Sequence, residues 1–538
     1  MSRISLTVVL ALSNVAFGLR AQQTPPMQKL GTVHFATSCN ASAQPIFNRA
    51  VALLHSFEFR RAIEGFNATV KSDSTCGIAY WGMALSAWGN PFATGIKPAR
   101  QIESGLDAVQ RGRTTGSGTQ REKDYGAAAA LLYENAQSID QRTRLVAYRD
   151  AMSALAARYP EDMEASIFYA LSLAISADPA DKTYANQLQA GAILEHLARK
   201  YPNHPGLAHY IIHTYDFPPL ASRALHAASS YSIIAPSVPH ALHMPSHTFT
   251  RVGSWQESID ANRKSTTVAR QDKSGAEELH ASDYMMYAYL QTGQDHAAHD
   301  LLESIPQMVS RFDPTKPASA APPVAGYFAM AAMPARYALE RGAWQDAAHL
   351  AAQKTSFAQA DAITHFARAV GAARIGDTAT AKSAIAELQR LRDELARQNE
   401  KYWTGQTEIQ IRGASAWLYF AEGRKDEALA TMREAAERED ATDKSAITPG
   451  PIAPAREMLG EMLLELNQPA EALKDFEKTL SVEPRRFRTV AGAAKAAEAA
   501  GDRAKAKKYY AQLAEIAALG DKPGRAELIA ARRMAGRR

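Results

Sequence analysis

The chain is 538 residues long, 46% hydrophobic and 22% charged, with a formal net charge of +5 at pH 7. This length and apolar content allow either several ordinary domains or one long repeat array. The small net charge provides no strongly basic surface, so we expect no nucleic-acid partner. The low aromatic content, 8%, favours closely packed helices with small side chains at their crossings.

The first 21 residues have the pattern of a secretory signal peptide. Residues 1–3 form a short region made positive by Arg3, and residues 4–19 form a mostly apolar stretch. Cleavage after Gly18 or Ala21 would leave a small residue at the cut. No later segment has the run of about 18 apolar residues that a membrane helix needs. We therefore expect a periplasmic or secreted protein without a membrane span.

Two cysteines, Cys39 and Cys76, are the only ones in the chain. In an oxidising compartment they are expected to pair. Cys39 precedes the first helix of the first repeat, and Cys76 opens the first helix of the next. The starts of these two helices are neighbours in a stack of repeats. The sequence therefore predicts a Cys39–Cys76 disulfide, with two free thiols as the alternative.

A turn residue followed five positions later by alanine or serine recurs along the chain. Glycine or asparagine at the first position suits a tight turn after a helix, and the small residue permits close helix contact. These pairs are Phe57/Ala62, Gly253/Ser258, Gly293/Ala298, Gly342/Ala347, Gly376/Ala381, Gly423/Ala428, Asn467/Ala472 and Gly501/Ala506. The last two pairs are 34 residues apart, the length of a tetratricopeptide repeat (TPR).

These repeats predict an all-α fold, a right-handed superhelical solenoid of TPR-like helix pairs. No alternating strand pattern of useful length is present. The expected parts are a signal peptide (1–21), an N-terminal segment (22–42), an N-terminal array (43–304) with a histidine-rich groove (205–300), middle repeats (305–440), and C-terminal repeats with a basic tail (441–538). Proline-rich loops are expected at 311–323 and 440–454.

Four histidines repeat at the structural period. His209 and His213 are four residues apart, and His243 and His247 form the same pair 34 residues later. Residues at i and i+4 project from one face of a helix, and neighbouring helices pack about 8–10 Å apart. We therefore predict that His209, His213, His243 and His247 bind a metal: zinc, copper, iron or nickel.

Four further residues are expected beside this set. In TPR arrays, residues at fixed distances before the small residue of each repeat face the concave groove, where ligands bind. His240, His280, Asp283 and Tyr287 occupy such positions. A site of three histidines plus Asp283 is an alternative to four histidines. His55 lies on the first repeat, and the sequence provides no partner for it.

Two alternatives to a metal site remain open. The histidines can bind a peptide or an anionic ligand without a metal, or they can satisfy buried carbonyls. The position of Pro245 affects the geometry of the histidines in all three interpretations. Inside a helix Pro245 would bend the chain, whereas in the first turn of a helix it would leave His240 and His243 in the preceding segment. Glu277 and Glu278 are candidates for a general base if a metal-bound water exists.

Four stretches of the chain resemble a family of secreted bacterial TPR proteins that is largely uncharacterised. They are residues 39–57, 76–92, 204–265 and 448–461, and the most specific phrase is PHALHMPSH, residues 239–247. With the repeats between them, they span nearly all of the predicted mature chain. The resemblance implies a repeat scaffold and export. It implies no catalytic residues.

Two functions follow from the sequence. The first is an exported scaffold that binds a peptide, protein or other ligand in its concave groove, with or without a histidine-coordinated metal ion. The second is a metal-dependent enzyme or metal carrier that uses the four histidines. The sequence has no HExxH, GxSxG or dinucleotide-binding motif, so it leaves the catalytic residues and the question of enzyme activity open, as it does the oligomeric state.

Overall fold

The structure is a computed structural model that describes residues 28–93, 95–116, 118–315 and 320–536. The predicted signal peptide and the last two arginines of the predicted basic tail lie outside the described residues. The described residues contain helices and no strand, and consecutive helices pack side by side along the chain. The predicted all-α solenoid is confirmed.

The N-terminal half begins with helices that surround the first hydrophobic core. They are α1 (Gln44–His55), α2 (Phe59–Ser72), α3 (Ile78–Trp88), α4 (Ala99–Thr115), α5 (Gln120–Ala130), α6 (Gln141–Arg158), α7 (Met163–Ile175) and α8 (Ala185–Lys200). Cys39 and Cys76 form a disulfide before α1 and α3, with Cα atoms 4.9 Å apart, which is the pairing expected from the sequence.

The central helices carry the histidines. They are α9 (Pro205–Thr214), α10 (Leu225–Ile234), α11 (Pro239–His243), α12 (Pro245–Val252), α13 (Trp255–Gln271), α14 (Gly275–Gln291), α15 (Asp295–Glu303) and α16 (Ile305–Arg311), with a short 3-10 turn at Ala221–Ala224 before α10.

The remaining helices surround a second hydrophobic core. They are α17 (Pro323–Glu340), α18 (Trp344–Ala348), α19 (Ala358–Arg374), α20 (Thr378–Arg397), α21 (Lys401–Ala421), α22 (Lys425–Asp440), α23 (Ala455–Glu465), α24 (Pro469–Val482), α25 (Phe487–Ala499), α26 (Arg503–Ile516) and α27 (Ala526–Ala535). No helix among the described residues is both long and apolar enough to cross a membrane.

The eight predicted turn residues share one backbone conformation. All have positive φ, from 57° at Phe57 and Asn467 to 81° at Gly376, and glycine adopts this conformation without strain. The alanine or serine five residues after each of these turns is buried, which is consistent with close helix packing at these eight positions. The repeat register read from the sequence is therefore the register of the fold.

The histidine helices lie where the two hydrophobic cores meet. Ala241 and Met244, on and just after α11, belong to the first core, whereas Leu279 and Tyr287 of α14 belong to the second. The polar histidine cluster is thus held between two rigid, close-packed halves, which fixes its geometry.

Candidate metal centre

Pro245 starts α12 and divides the histidine segment into two short helices. Met244 between them keeps helical angles, φ −52° and ψ −36°, so the chain continues without a sharp turn. His240 and His243 therefore lie on α11, as the first-turn alternative for Pro245 requires. His243 and His247 nevertheless remain neighbours across the junction, with ring centroids 5.0 Å apart.

The structure sorts six buried histidines into two sets of three. The first set is His209, His213 and His240, and the second set is His243, His247 and His280. Within each set, one nitrogen from each ring lies within 4.8 Å of the others. The four histidines predicted to bind a metal are thus divided two and two, and each pair gains a third ring from residues predicted only to line the groove.

The first set has its rings oriented by the first repeat. The backbone carbonyl of His55 accepts a hydrogen bond of 2.6 Å from His209 Nδ1, which leaves the Nε2 lone pair of His209 free. This Nε2 lies 3.1 Å from Nε2 of His240. His213 Nε2 is buried and has no hydrogen-bond partner among the described residues. His240 Nε2 can donate a hydrogen bond to His209 Nε2, so His213 Nε2, unlike these two nitrogens, has no partner among the described residues.

The second set has its proton positions determined by neighbouring groups. Asn262 donates its amide hydrogen to Ser258 O at 2.8 Å, so its Oδ1 must face His243 Nδ1 at 2.7 Å. A carbonyl oxygen only accepts, and therefore His243 carries its proton on Nδ1.

His247 has the same arrangement with a carboxylate as the acceptor. Its Nδ1 lies 3.0 Å from Asp216 Oδ2, and this carboxylate is also bound by Arg251 and Lys444. Burial alone would raise the pKa of Asp216, but Lys444 and Arg251 hold it well below its usual range. The ionised carboxylate only accepts, so His247 also carries its proton on Nδ1.

The two Nε2 atoms of His243 and His247 lie 3.0 Å apart. With both protons on Nδ1, each Nε2 presents a lone pair to the other. Burial holds the pKa of His243 well below its usual range, and it also lowers the pKa of His247, where Asp216 opposes the shift. An added proton on either ring is therefore disfavoured. A metal ion that accepts both lone pairs would relieve it.

Burial keeps the rest of the cluster neutral as well. It lowers the pKa of His209 and of His280 to about 3, and it lowers the pKa of His240 well below its usual range. Neutral imidazole is the form that binds metals.

The segment 441–454, between α22 and α23, covers the second set. Lys444 donates to Asp216 at 3.1 Å, and the Tyr284 hydroxyl lies 3.1 Å and 3.0 Å from the carbonyls of Ala446 and Thr448. Arg336 donates to Gly450 O at 3.0 Å. The chain itself therefore fills this part of the concave face.

The predicted groove residues Asp283 and Tyr287 lie apart from both histidine sets. Asp283 accepts a hydrogen bond from Arg336 at 2.9 Å, and the Tyr287 hydroxyl donates to Glu483 at 3.2 Å. Asp283, Tyr287, His240 and His280 were expected on the concave groove, and all four are buried. Arg336, which binds Asp283, also donates to Gly450 of the segment 441–454, whose path the repeat pattern does not determine. His240 is buried instead against Phe57 and His209.

His55 belongs to a third cluster, which corrects the expectation that it has no partner. Its Nε2 lies 2.9 Å from Glu164 Oε2, its Nδ1 lies 3.0 Å from the Tyr210 hydroxyl, and His204 Nε2 lies 3.0 Å from Glu164 Oε1. Each carboxylate oxygen thus accepts one imidazole proton. His204 Nδ1 is buried and has no hydrogen-bond partner among the described residues, so this cluster, like the two sets, could hold a metal ion. It also supports His209 through the His55 carbonyl.

The two predicted candidates for a general base have different environments. Glu278 pairs with Arg270 and Arg311 at 3.0 Å and 2.7 Å, away from the histidines. Glu277 Oε2 lies 3.9 Å from His240 Nδ1, and Glu277 also lines a cleft of about 580 Å³. Only Glu277 therefore lies next to the candidate metal centre.

No family model matches the chain, and no curated protein matches it. Among solved structures, it is similar to a human IFIT1 dimer with m7Gppp-AAAA, at 11% identity over 82% of this chain and 90% of that chain, with a TM-score of 0.38. It is also similar to an APC/C hetero-tetramer Cut9-Hcn1, at 12% identity over 92% and 90%, with a TM-score of 0.33. Similarities this weak do not indicate the function of this chain.

Proposed function

We propose that this protein is an exported helical scaffold whose buried histidine cluster binds transition-metal ions. The supporting observation is the 3.0 Å contact between Nε2 of His243 and Nε2 of His247, which face each other with lone pairs and without a proton. Orphaned polar groups in a protein interior cost free energy unless a partner satisfies them. A metal ion is the partner that suits two imidazole lone pairs.

The surroundings of the cluster support the same proposal. Three of the histidines donate a hydrogen bond from Nδ1 to an oxygen atom. His209 donates to the His55 carbonyl, His243 to Asn262 Oδ1 and His247 to Asp216 Oδ2. Metal-binding histidines usually have such an outer partner, which fixes the ring and leaves the other nitrogen free. Zinc, copper, iron and nickel all accept several imidazoles.

Three imidazoles per set leave coordination positions open on a bound ion, as catalytic metal sites do. The segment 441–454 would have to move before an ion could leave, which favours a resident ion over a carried one. We therefore favour a metal-dependent chemical role above a metal carrier.

Export is the second part of the proposal. The Cys39–Cys76 disulfide is the type of bond that forms and persists in a periplasm or outside the cell. The signal-peptide pattern of residues 1–21 supports the same compartment.

A peptide or small polar ligand is the second candidate, and the cleft beside Glu277 favours it. The cleft has a volume of about 580 Å³, which is in the range of small-molecule sites. Charged residues of both signs line it, including Glu58, Arg61 and Lys273. A ligand in this cleft would bind beside the histidine cluster and would not bridge its two sets.

The test is elemental analysis of the secreted protein, purified without a metal-binding tag. We expect near-stoichiometric transition metal in the wild type and a large decrease in a variant with alanine at His209, His213, His243 and His247. Circular dichroism checks that the variant is folded, and the exposed pair His226→Ala and His349→Ala is the matched control. A wild type that takes up no metal after reconstitution would contradict the proposal and leave the cleft ligand as the function.

A further inference from the structure

A further group of potential metal ligands lies where α1, α7 and α9 meet. His55 is the last residue of α1, Glu164 lies in the first turn of α7, and His204 immediately precedes α9. All three side chains are buried, and one ligand atom from each lies within 4.8 Å of the others. Residues that are distant in the sequence thus bring two imidazoles and a carboxylate to one point.

The start of α9 is shaped for this approach. His204 occupies the N-cap position, where a side chain commonly accepts a hydrogen bond from the helix, but it makes no such bond. Its Nε2 lies instead 3.0 Å from Glu164 Oε1. Gly206 gives the His55 ring room against the helix, because a Cβ at this position would lie 2.5 Å from His55 Nδ1. The local sequence therefore lets both imidazoles reach Glu164.

Glu164 presents both of its oxygens to the imidazoles. Oε2 lies 2.9 Å from His55 Nε2, and Oε1 lies 3.0 Å from His204 Nε2. An ion between these groups would have four protein donor atoms, two nitrogens and two oxygens. Adjacent nitrogen and oxygen ligands of a tetrahedral zinc ion are about 3.4 Å apart, given bond lengths of about 2.0–2.2 Å. Small side-chain shifts are therefore enough to admit the ion.

The charge of Glu164 favours a cation at this point. Glu164 is 1% exposed, and among the described residues no lysine or arginine pairs with it, since the groups at ion-pair distance are the two imidazoles. A buried carboxylate is costly without a positive partner. The N-terminus of α7 offsets part of this charge. A divalent ion would supply the remainder.

The surroundings of the His55 ring suit a closed metal site. The Tyr210 hydroxyl lies 3.0 Å from His55 Nδ1, and an outer partner of this kind orients a metal-binding imidazole. The ring of Phe168 stacks on that of His55, with centroids 5.0 Å apart. Four protein donors in a closed environment are typical of structural zinc sites, whereas catalytic sites keep a position open.

We propose that His55, Glu164 and His204 bind a structural zinc ion that joins α1 to α7 and α9. This inference goes beyond the proposed function and does not depend on metal binding by the two histidine sets. The ion would also hold the end of α1 in place. There the His55 carbonyl accepts the 2.6 Å hydrogen bond from His209 Nδ1, so the zinc site supports the first set from outside.

The experiment compares the zinc content of the full-length wild-type protein with that of Glu164→Gln, after reconstitution with zinc and removal of unbound ions. We expect one zinc ion fewer per chain in Glu164→Gln, because the carboxylate supplies both oxygen donors, and a lower midpoint of thermal unfolding. Glu195→Gln is the matched control, since Glu195 accepts a hydrogen bond from the Tyr215 hydroxyl, and it should bind as much zinc as the wild type. Equal zinc content in the wild type and in folded Glu164→Gln would overturn the inference.

The variant with alanine at His209, His213, His243 and His247 separates this inference from the proposed function. It should lose the ions of the two sets and keep one zinc ion, which the further change Glu164→Gln removes. No zinc in the folded quadruple variant would overturn the structural site and leave the two sets intact. A wild type whose zinc content the four alanines leave unchanged, but Glu164→Gln abolishes, would support the structural site and contradict the proposed function.

A measurement on the wild type needs no substitution and covers the case in which a variant fails to fold. Anomalous diffraction at the zinc edge from zinc-loaded crystals should show a peak between His55, Glu164 and His204. Loaded crystals without this peak would overturn the inference.

Discussion

His243 and His247 lie across a proline-marked helix junction with their Nε2 atoms 3.0 Å apart, and neighbouring oxygens hold both ring protons on the opposite nitrogens. In a metal-free protein this contact is a local cost, because two lone pairs face each other in a buried site. Metal binding would convert it into a favourable interaction.

Metal removal is therefore expected to destabilise the protein. A ligand present at about 1,000 times its dissociation constant adds about 4 kcal/mol to the free energy of unfolding. We expect a lower midpoint of thermal unfolding in chelator than in excess metal. A variant with alanine at His209, His213, His243 and His247, which removes ligands from both sets, serves as the control, since its midpoint should respond much less to either condition. An equal response in both proteins would show that metal acts elsewhere.

Asn262 is expected to set the metal affinity without contacting the ion. It fixes the proton of His243 on Nδ1, and loss of such an outer partner costs roughly 10- to 100-fold in affinity. Competition with a chelator measures this for Asn262→Leu. Asn186→Leu is the control, because Asn186 only donates to the Leu173 carbonyl. Unchanged affinity in Asn262→Leu would mean that the ring needs no such support.

The segment 441–454 is expected to slow metal release. The Tyr284 hydroxyl ties it down through the Ala446 and Thr448 carbonyls, and Tyr284→Phe removes these contacts. The rate at which a chelator extracts the metal should rise in this variant. Tyr289→Phe, which loses a contact with Arg263 instead, should release metal at the wild-type rate. Equal rates in all three proteins would contradict a covering role.

The pH dependence of stability should carry a contribution from Glu439. Burial raises the pKa of this carboxyl from 4.5 to about 8, with Glu483 and Asp440 adding to the effect. Between these values the folded protein holds a proton that the unfolded chain releases, so the free energy of unfolding falls as pH rises through this window. Glu439→Gln should flatten the decline, whereas the exposed Glu437→Gln should not. Denaturant unfolding from pH 5 to pH 8 measures the slopes.

The disulfide is expected to stabilise the N-terminal repeats. Cys39 and Cys76 are 37 residues apart, and closing a loop of this length is worth about 4 kcal/mol on chain-entropy grounds. Replacing both cysteines with alanine should lower the thermal midpoint under non-reducing conditions. Reductant should lower the wild-type midpoint towards that of the variant. A variant as stable as the oxidised wild type would contradict this.

Local features of the fold could be predicted from the sequence. Each repeat needs a positive-φ turn and a small residue five positions later, and pairs such as Gly253 and Ser258 supply these needs within a few residues. The histidine pair 209/213 on α9 comes close to the pair 243/247, which α11 and α12 share, for the same reason. Requirements that are local and recur in every repeat produce a regular residue spacing, which the sequence shows directly.

The grouping of the site could not be predicted in the same way. His240 and His280 each join one set, and Asp283 instead pairs with Arg336, which is 53 residues away. The segment 441–454 reaches the histidines from more than 150 residues away, as the contact between Tyr284 and Thr448 shows. These relationships depend on the superhelical path and on a non-repeating loop, and neither leaves a periodic signal.

Anomalous X-ray diffraction from crystals of the metal-loaded protein, recorded at the absorption edge of the bound metal, tests the central claim most directly. The account predicts one anomalous peak within His209, His213 and His240 and another within His243, His247 and His280. Loaded crystals with no peak in either set, or with peaks only at exposed histidines such as His296, would contradict it.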